Sequence, residues 1–144
     1  LERFLSYATA GRQADADGYA DHALGLYRLA EESYGGVFYA EDPYCDWATA
    51  TREETALVYG TLVRRLAAAD VTADDHSAAS RRYLRLIDHD PFDEPAHLGA
   101  ISSLVALCAY GQAHRLYSAY AARMRELGVD PAAFPSSTGS PPTG

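Results

Sequence analysis

The spacing of apolar residues constrains this chain most, because they recur every three to four positions through most of its length. Such spacing places them on one face of an α-helix, and no segment shows the alternation that is typical of a strand. Six helices are predicted, over residues 1–10, 19–29, 47–66, 80–87, 98–107 and 116–127. The sequence therefore predicts an all-α protein.

Residues that interrupt helices separate these segments. They are Gly11 with Asp15 and Asp17, Gly35 with Gly36, the stretch from Val71 to Asp75, Pro91, Gly111, and Gly128 with Pro131. Glycine and proline are the strongest local breakers of regular structure, so each group predicts a turn or loop. Helices joined in this way pack as consecutive antiparallel hairpins.

A pattern of three residues recurs in the hairpins. A turn residue is followed five positions later by a small or aliphatic residue, and four positions after that by an aromatic one. The three sets are Gly18, Ala23 and Tyr27; Asp74, Ala79 and Tyr83; and Gly111, Leu116 and Tyr120. A small residue lets two helices approach closely, and the aromatic ring fills the groove beside it. The pattern predicts tetratricopeptide-like hairpins that form a right-handed α-solenoid.

The last ten residues differ in composition from the rest. Residues 135–144 are rich in proline, serine, glycine and threonine and have no apolar periodicity. We expect one domain over residues 1–134 and a flexible tail or linker over 135–144. Because the chain opens at Leu1 without methionine, we expect it to be part of a longer protein.

The charge balance limits the possible partners. The chain has 20 acidic and 12 basic residues and a formal net charge of −8, and all its basic residues are arginine. Such a surface repels phosphate backbones, although Arg64 with Arg65, or Arg81 with Arg82, could touch a phosphate locally. The sequence shows no leader and no apolar run long enough to span a membrane, which predicts a cytoplasmic protein.

The sequence contains no catalytic motif. Cys45 and Cys108 are far apart and outside any metal-binding or redox pattern, which predicts two free thiols. The acidic stretch from Asp88 to His97 includes Asp93 and His97, which lie one turn apart and could share a cation. An acidic residue at this position also stabilises a helix start, and we favour this interpretation. We therefore predict no enzyme activity, no metal and no cofactor.

The segment between the second and third helices is rich in aromatic residues: Tyr34, Phe38, Tyr39, Tyr44 and Trp47. One interpretation is that these rings pack the connection against the helices, since aromatic side chains carry a large apolar area. The other is that some stay exposed and bind a protein partner, because tyrosine and tryptophan are enriched at interface hot spots. The sequence leaves both open.

The order of several short motifs resembles a known family. They are Ala23 to Arg28, Asp46-Trp47-Ala48 followed by Arg52-Glu53, Asp90 to Glu94 with Ala96-His97, Gly111-Gln112 with Tyr120, and Leu127 to Pro131. Together they are similar to the bacterial transcriptional activator domain of the Streptomyces antibiotic regulatory protein type. The resemblance implies an actinobacterial interaction domain that forms a homodimer or binds RNA polymerase or regulatory domains, while a neighbouring winged-helix domain binds DNA.

Structural roles are expected for the motif residues. Trp47 should anchor the third helix, with Arg52 and Glu53 on its next turn. Pro91 should stop the fourth helix, and Asp93 with Glu94 should favour the start of the fifth.

The last hairpin supplies the remaining motif residues. Gly111 and Tyr120 belong to its repeat positions, while Gly128 and Pro131 should end the sixth helix. Two alternative functions remain open: a peptide-binding adaptor with no transcriptional role, and a sensor that binds a small molecule among its tyrosines.

Overall fold

The computed structural model describes residues 2–34 and 46–135, with side chains described over 3–34 and 53–135. Six α-helices occupy these residues: α1 (Glu2–Ala16), α2 (Ala20–Tyr34), α3 (Asp46–Thr72), α4 (His76–His89), α5 (Glu94–Ala106) and α6 (Tyr110–Glu126). No strand occurs in the part of the chain that is described. The predicted all-α class and the number of helices are confirmed. Among the described residues, no helix is both long and apolar enough to cross a membrane.

Two glycines that were predicted to break helices lie inside them. Gly11 is in the interior of α1, and Gly111 is the second residue of α6. At Gly11 a Cβ atom would stand 2.6 Å from Cε1 of Tyr27, closer than any real contact. The turn prediction for Gly11 is therefore wrong, because this glycine makes room for a ring of the neighbouring helix.

Short turns with one residue in the left-handed region end α1, α3, α5 and α6. The left-handed residues are Gly18 (φ +87°), Asp74 (+60°), Cys108 (+61°) and Gly128 (+73°). In each turn the next amide donates to a carbonyl five residues earlier, as in Tyr19 N to Ala14 O at 2.9 Å and Ala109 N to Leu104 O at 2.8 Å. These bonds are those of the Schellman motif, which satisfies carbonyls at a helix end.

The turns correct the predicted repeat in the last hairpin. Its left-handed residue is Cys108 rather than Gly111, so the small residue five positions later is Ala113 rather than Leu116. Ala113 has no exposed surface, like Ala23 and Ala79 at the equivalent positions of the other hairpins. The sequence places Ala79 and Ala113 34 residues apart. The repeat is therefore more regular than the sequence pattern indicated, because glycine is not required at a left-handed turn.

The structure divides into two compact units, residues 1–66 and 67–144. In the first unit α1 packs against α2, and the rings of Phe4, Tyr34 and Tyr59 form a cluster with centroid separations of 3.9 to 6.4 Å.

In the second unit α5 packs against both α4 and α6. Its core joins α5 to α6 through Ile101, Leu104, Val105, Tyr120 and Met124. Each unit therefore has apolar contacts of its own.

The corrected repeat can be tested by enlarging Ala113. We expect Ala113→Leu to lower the free energy of unfolding by about 1–3 kcal/mol, because extra methyl groups in a filled interior force the helices apart. Ala122→Leu, on the exposed side of the same helix, is the control and should change it by less than about 0.5 kcal/mol. Urea denaturation followed by circular dichroism measures both. Equal effects would contradict the assignment of Ala113 to the helix contact.

Candidate functional site

The corner between α4 and α5 is built by its own acidic residues. Asp90 Oδ1 accepts a hydrogen bond from Phe92 N at 3.0 Å, and Asp93 Oδ1 accepts one from Ala96 N at 3.1 Å. Asp93 is thus the N-cap of α5, and Pro91 lies in the turn that follows α4. Capping, which we favoured for Asp93 from the sequence, is what the geometry shows.

His97 is buried behind this corner, with 2% of its surface exposed. Its Nε2 lies 2.7 Å from Pro91 O, and since a carbonyl only accepts, Nε2 carries the proton. Its Nδ1 is buried with no hydrogen-bond partner in the described structure. Among the described residues no group of three His, Cys, Asp or Glu side chains could hold a metal ion. Asp93 and His97 therefore both form hydrogen bonds that fix this corner.

Tyr120 connects the start of α5 to the segment after α6. Its hydroxyl donates to Glu94 Oε2 at 2.6 Å and accepts from Ala132 N at 2.7 Å, and its ring is fully buried. Burial raises the pKa of the Tyr120 hydroxyl above its ordinary value of 10.0, and the hydrogen bond to Glu94 raises it further. The hydroxyl therefore both donates and accepts a hydrogen bond within the protein.

The segment after α6 folds back over that helix. Tyr117 Oη donates to Ala132 O at 2.7 Å, and the ring of Phe134 stacks on His114 with 4.3 Å between centroids. Phe134 also meets Tyr117 edge on, at 5.4 Å. The chain up to Phe134 is therefore tied to the last hairpin.

The arginines that the sequence offered as phosphate contacts are mostly engaged. Arg82 forms a hydrogen-bonded ion pair with Asp70, and both side chains are largely buried. Arg65 pairs with Asp15, while Arg81 is exposed and donates to Ser77 Oγ at 3.0 Å. A phosphate contact through Arg82 would require breaking a buried ion pair, so Arg81 and Arg82 do not form a free cationic pair.

A pocket of about 170 Å³ opens in the first unit between α1, α2 and α3. Its polar lining comes from Arg12, Asp15, Thr61 and Arg65, and its apolar lining from Tyr27, Val58 and Leu62. Asp15 Oδ2 accepts from Tyr27 Oη at 3.1 Å and from Arg65 Nε at 3.2 Å, while its Oδ1 accepts from Arg65 Nη2 at 3.3 Å. Burial raises the pKa of the Tyr27 hydroxyl, and the bond to Asp15 adds to this. One side of the pocket therefore consists of hydrogen-bonded polar groups, and the other side is apolar.

Of the aromatic residues predicted to bind a partner, the structure describes one side chain, that of Tyr34. Its ring stacks on Tyr59 at 3.9 Å, and burial raises the pKa of its hydroxyl. Phe38, Tyr39 and Tyr44 lie outside the described residues. Trp47 lies in α3, but its side chain is likewise outside them.

Four further motif residues lie in α3, in α6 and in the segment after α6. The side chain of Arg52 is outside the described residues, and Glu53 is exposed on α3. Gly111 lies in the first turn of α6, where it is exposed, and Pro131 is half-buried in the segment that leads from α6 to Phe134.

The pocket of the first unit and the contacts of the segment between α6 and Phe134 were not predicted from the sequence. Asp15 and Arg65 are 50 residues apart, so no local spacing relates them. The same holds for Glu94 and Tyr120, which are 26 residues apart. The contacts of the C-terminal segment had one sequence signal. Phe134 is a large apolar residue directly before the polar tail, which indicates that the chain is packed up to this residue.

The comparison of the chain with known protein families found a match. A family model described as "Bacterial transcriptional activator domain" matches residues 1–134. No curated protein and no solved structure was found to match the chain.

The raised pKa of Tyr120 predicts how stability changes with pH. In the unfolded chain the tyrosine hydroxyl loses its proton at a pH of about 10, whereas in the folded protein it keeps the proton to a higher pH. Its contribution to the free energy of unfolding is therefore complete below a pH of about 10. The contribution is lost as the pH rises through the folded pKa. We expect the free energy of unfolding of the wild type to fall with pH above about 10 more steeply than that of Tyr120→Phe.

Urea denaturation at several alkaline pH values measures this difference in slope. Tyr19→Phe, at a tyrosine that is 67% exposed, is the matched control and should keep the wild-type slope. A Tyr120→Phe slope equal to that of the wild type would contradict the prediction.

Proposed function

Since the chain belongs to the bacterial transcriptional activator domain family, we propose that it is a non-catalytic interaction domain of a transcriptional activator. It acts by binding another protein, either RNA polymerase, a regulatory domain or a second copy of itself. DNA is bound by a neighbouring domain of the activator. Such a role requires a cytoplasmic location, where the transcription machinery works.

The observation that supports this role most is the recurrence of one hairpin geometry. Three turns carry a left-handed residue followed five positions later by an alanine with no exposed surface: Ala23, Ala79 and Ala113. A tyrosine follows each alanine by four positions, and the last two sets are 34 residues apart. An Ala-x₃-aromatic pattern at a 34-residue period is typical of tetratricopeptide repeats, which present extended surfaces for binding proteins. We therefore infer tetratricopeptide-like hairpins.

The charge of the chain supports a protein partner over direct contact with DNA. A net charge of −8 opposes approach to a phosphate backbone, and the Arg82 guanidinium is held by Asp70. Large apolar side chains are exposed in both units, among them Leu57 at 73% and Leu127 at 53%. Apolar side chains of this kind contribute to protein interfaces when they lie in a contiguous patch.

The experiment is biolayer interferometry of the immobilised chain against purified cognate RNA polymerase holoenzyme at two salt concentrations. Light scattering over a range of protein concentrations measures self-association in parallel. Saturable binding to polymerase, or a dimer that forms with concentration, is the expected result. A folded chain that stays monomeric and binds neither polymerase nor the regulatory domains of its own activator would overturn the proposal.

A further inference from the structure

The pocket of the first unit carries an arginine whose charge is not balanced. Asp15 accepts three hydrogen bonds, two of them from Arg65, and so neutralises that guanidinium. Arg12 is exposed and lines the same pocket, and among the described residues its side chain forms one hydrogen bond, to Thr9 Oγ1 at 3.5 Å, the limit of such a bond. With two arginines and one aspartate, the pocket has a local charge of about +1. This is opposite in sign to the net charge of the chain.

The pocket as a whole has about the volume of one side chain, and part of its wall is apolar. Val58 and Leu62 line it from α3, and the ring of Tyr27 lines it from α2. A dry cavity of about 150 Å³ in another protein binds benzene, so about 170 Å³ accepts one branched or aromatic side chain. Pockets for drug-sized ligands are larger, about 300–1,000 Å³. The volume therefore fits one residue of a peptide.

The pocket is also held in shape before anything binds. The bidentate ion pair between Arg65 and Asp15 ties α3 to α1, and the Tyr27 ring is fixed between Asp15 and Gly11. A pocket that is already formed loses little entropy when a ligand binds, which favours even a short segment. One turn before Thr61 on α3, Leu57 is 73% exposed and offers an apolar contact beside the pocket.

We propose that this pocket binds a segment of a partner protein in which an acidic side chain lies next to an apolar one. The carboxylate pairs with Arg12, and the apolar side chain enters the cavity against Val58 and Leu62. The inference rests on the proposed function, because it names the chemistry by which an interaction domain would recognise its partner. One unpaired guanidinium in an acidic chain suits a singly charged carboxylate better than a phosphate.

The test uses the full 144-residue chain and fluorescein-labelled peptides that are amidated at the C-terminus. Two peptides in a glycine and serine context carry Asp-Leu or Glu-Phe at their centre. Their controls replace the acid by its amide, giving Asn-Leu and Gln-Phe, or replace the apolar residue by serine. Fluorescence polarisation measures each dissociation constant. We expect saturable binding of the acidic peptides, weakened at least about fivefold by either replacement. One replacement removes the charge that pairs with Arg12, and the other removes the apolar contact with Val58 and Leu62.

Variants of the protein locate the binding. Arg12→Gln should weaken the acidic peptides to the level of their amide controls, and Val58→Trp should reduce binding by filling the cavity. Arg28→Gln removes the same charge from an exposed position on α2 outside the pocket, and should change binding by less than about twofold. Circular dichroism checks that each variant is folded.

Several results would overturn the inference. They are an absence of saturable binding by any acidic peptide, equal binding of the acid and amide peptides, and an Arg12→Gln variant that binds like the wild type. Acetate and inorganic phosphate are also compared as competitors of the bound peptide. Displacement by phosphate at a tenth of the acetate concentration needed for the same effect would overturn the inference too, because it would identify a phosphate site. If the peptides fail while polymerase binding or self-association persists, the pocket assignment falls and the proposed function stands.

Discussion

The structure depends on the close approach of helices at three buried alanines. Ala23, Ala79 and Ala113 have no exposed surface, and each lies five residues after the left-handed residue of a turn. A larger side chain at these positions would separate the helices and open the interior, which is costly in a close-packed protein. At Asp74 and Cys108 the left-handed conformation is adopted without glycine, at some cost in strain. Packing of the hairpins therefore fixes these turns more strongly than local preference does.

The helices could be predicted from the sequence because their signal is local, but the register of the last hairpin could not. Apolar spacing gave the number and order of the helices, although each one is longer than its apolar stretch. The sequence pattern assigned the turn to Gly111, three positions after the actual turn residue, Cys108, so the predicted repeat positions of this hairpin were also three positions too late. The sequence does contain the correct signal, since Ala113 lies 34 residues after Ala79. Glycine marks a turn at Gly18 and Gly128, but Gly11 and Gly111 lie inside helices.

In the candidate site, too, contacts between neighbours in the sequence could be predicted, and contacts between distant residues could not. The role of Asp93 as a cap was predictable, because it is decided by the three residues that follow it. The contacts of Asp15 with Arg65, and of Glu94 with Tyr120, join residues far apart in the chain, and one sequence cannot pair them. In the second unit the motif residues bond to one another and hold the corner and the C-terminal segment. In the first unit we propose that Arg12 pairs with a carboxylate of a partner protein.

If this domain acts through a protein contact, amide hydrogen exchange should detect the surface that it uses. Exchange is measured by mass spectrometry for the chain alone at low and high concentration, and with RNA polymerase holoenzyme added. We expect slower exchange in at least one of the two comparisons, in a continuous set of helices that includes the parts of α1 and α3 around Arg12 and Val58. Unchanged exchange throughout the chain in both comparisons would contradict it.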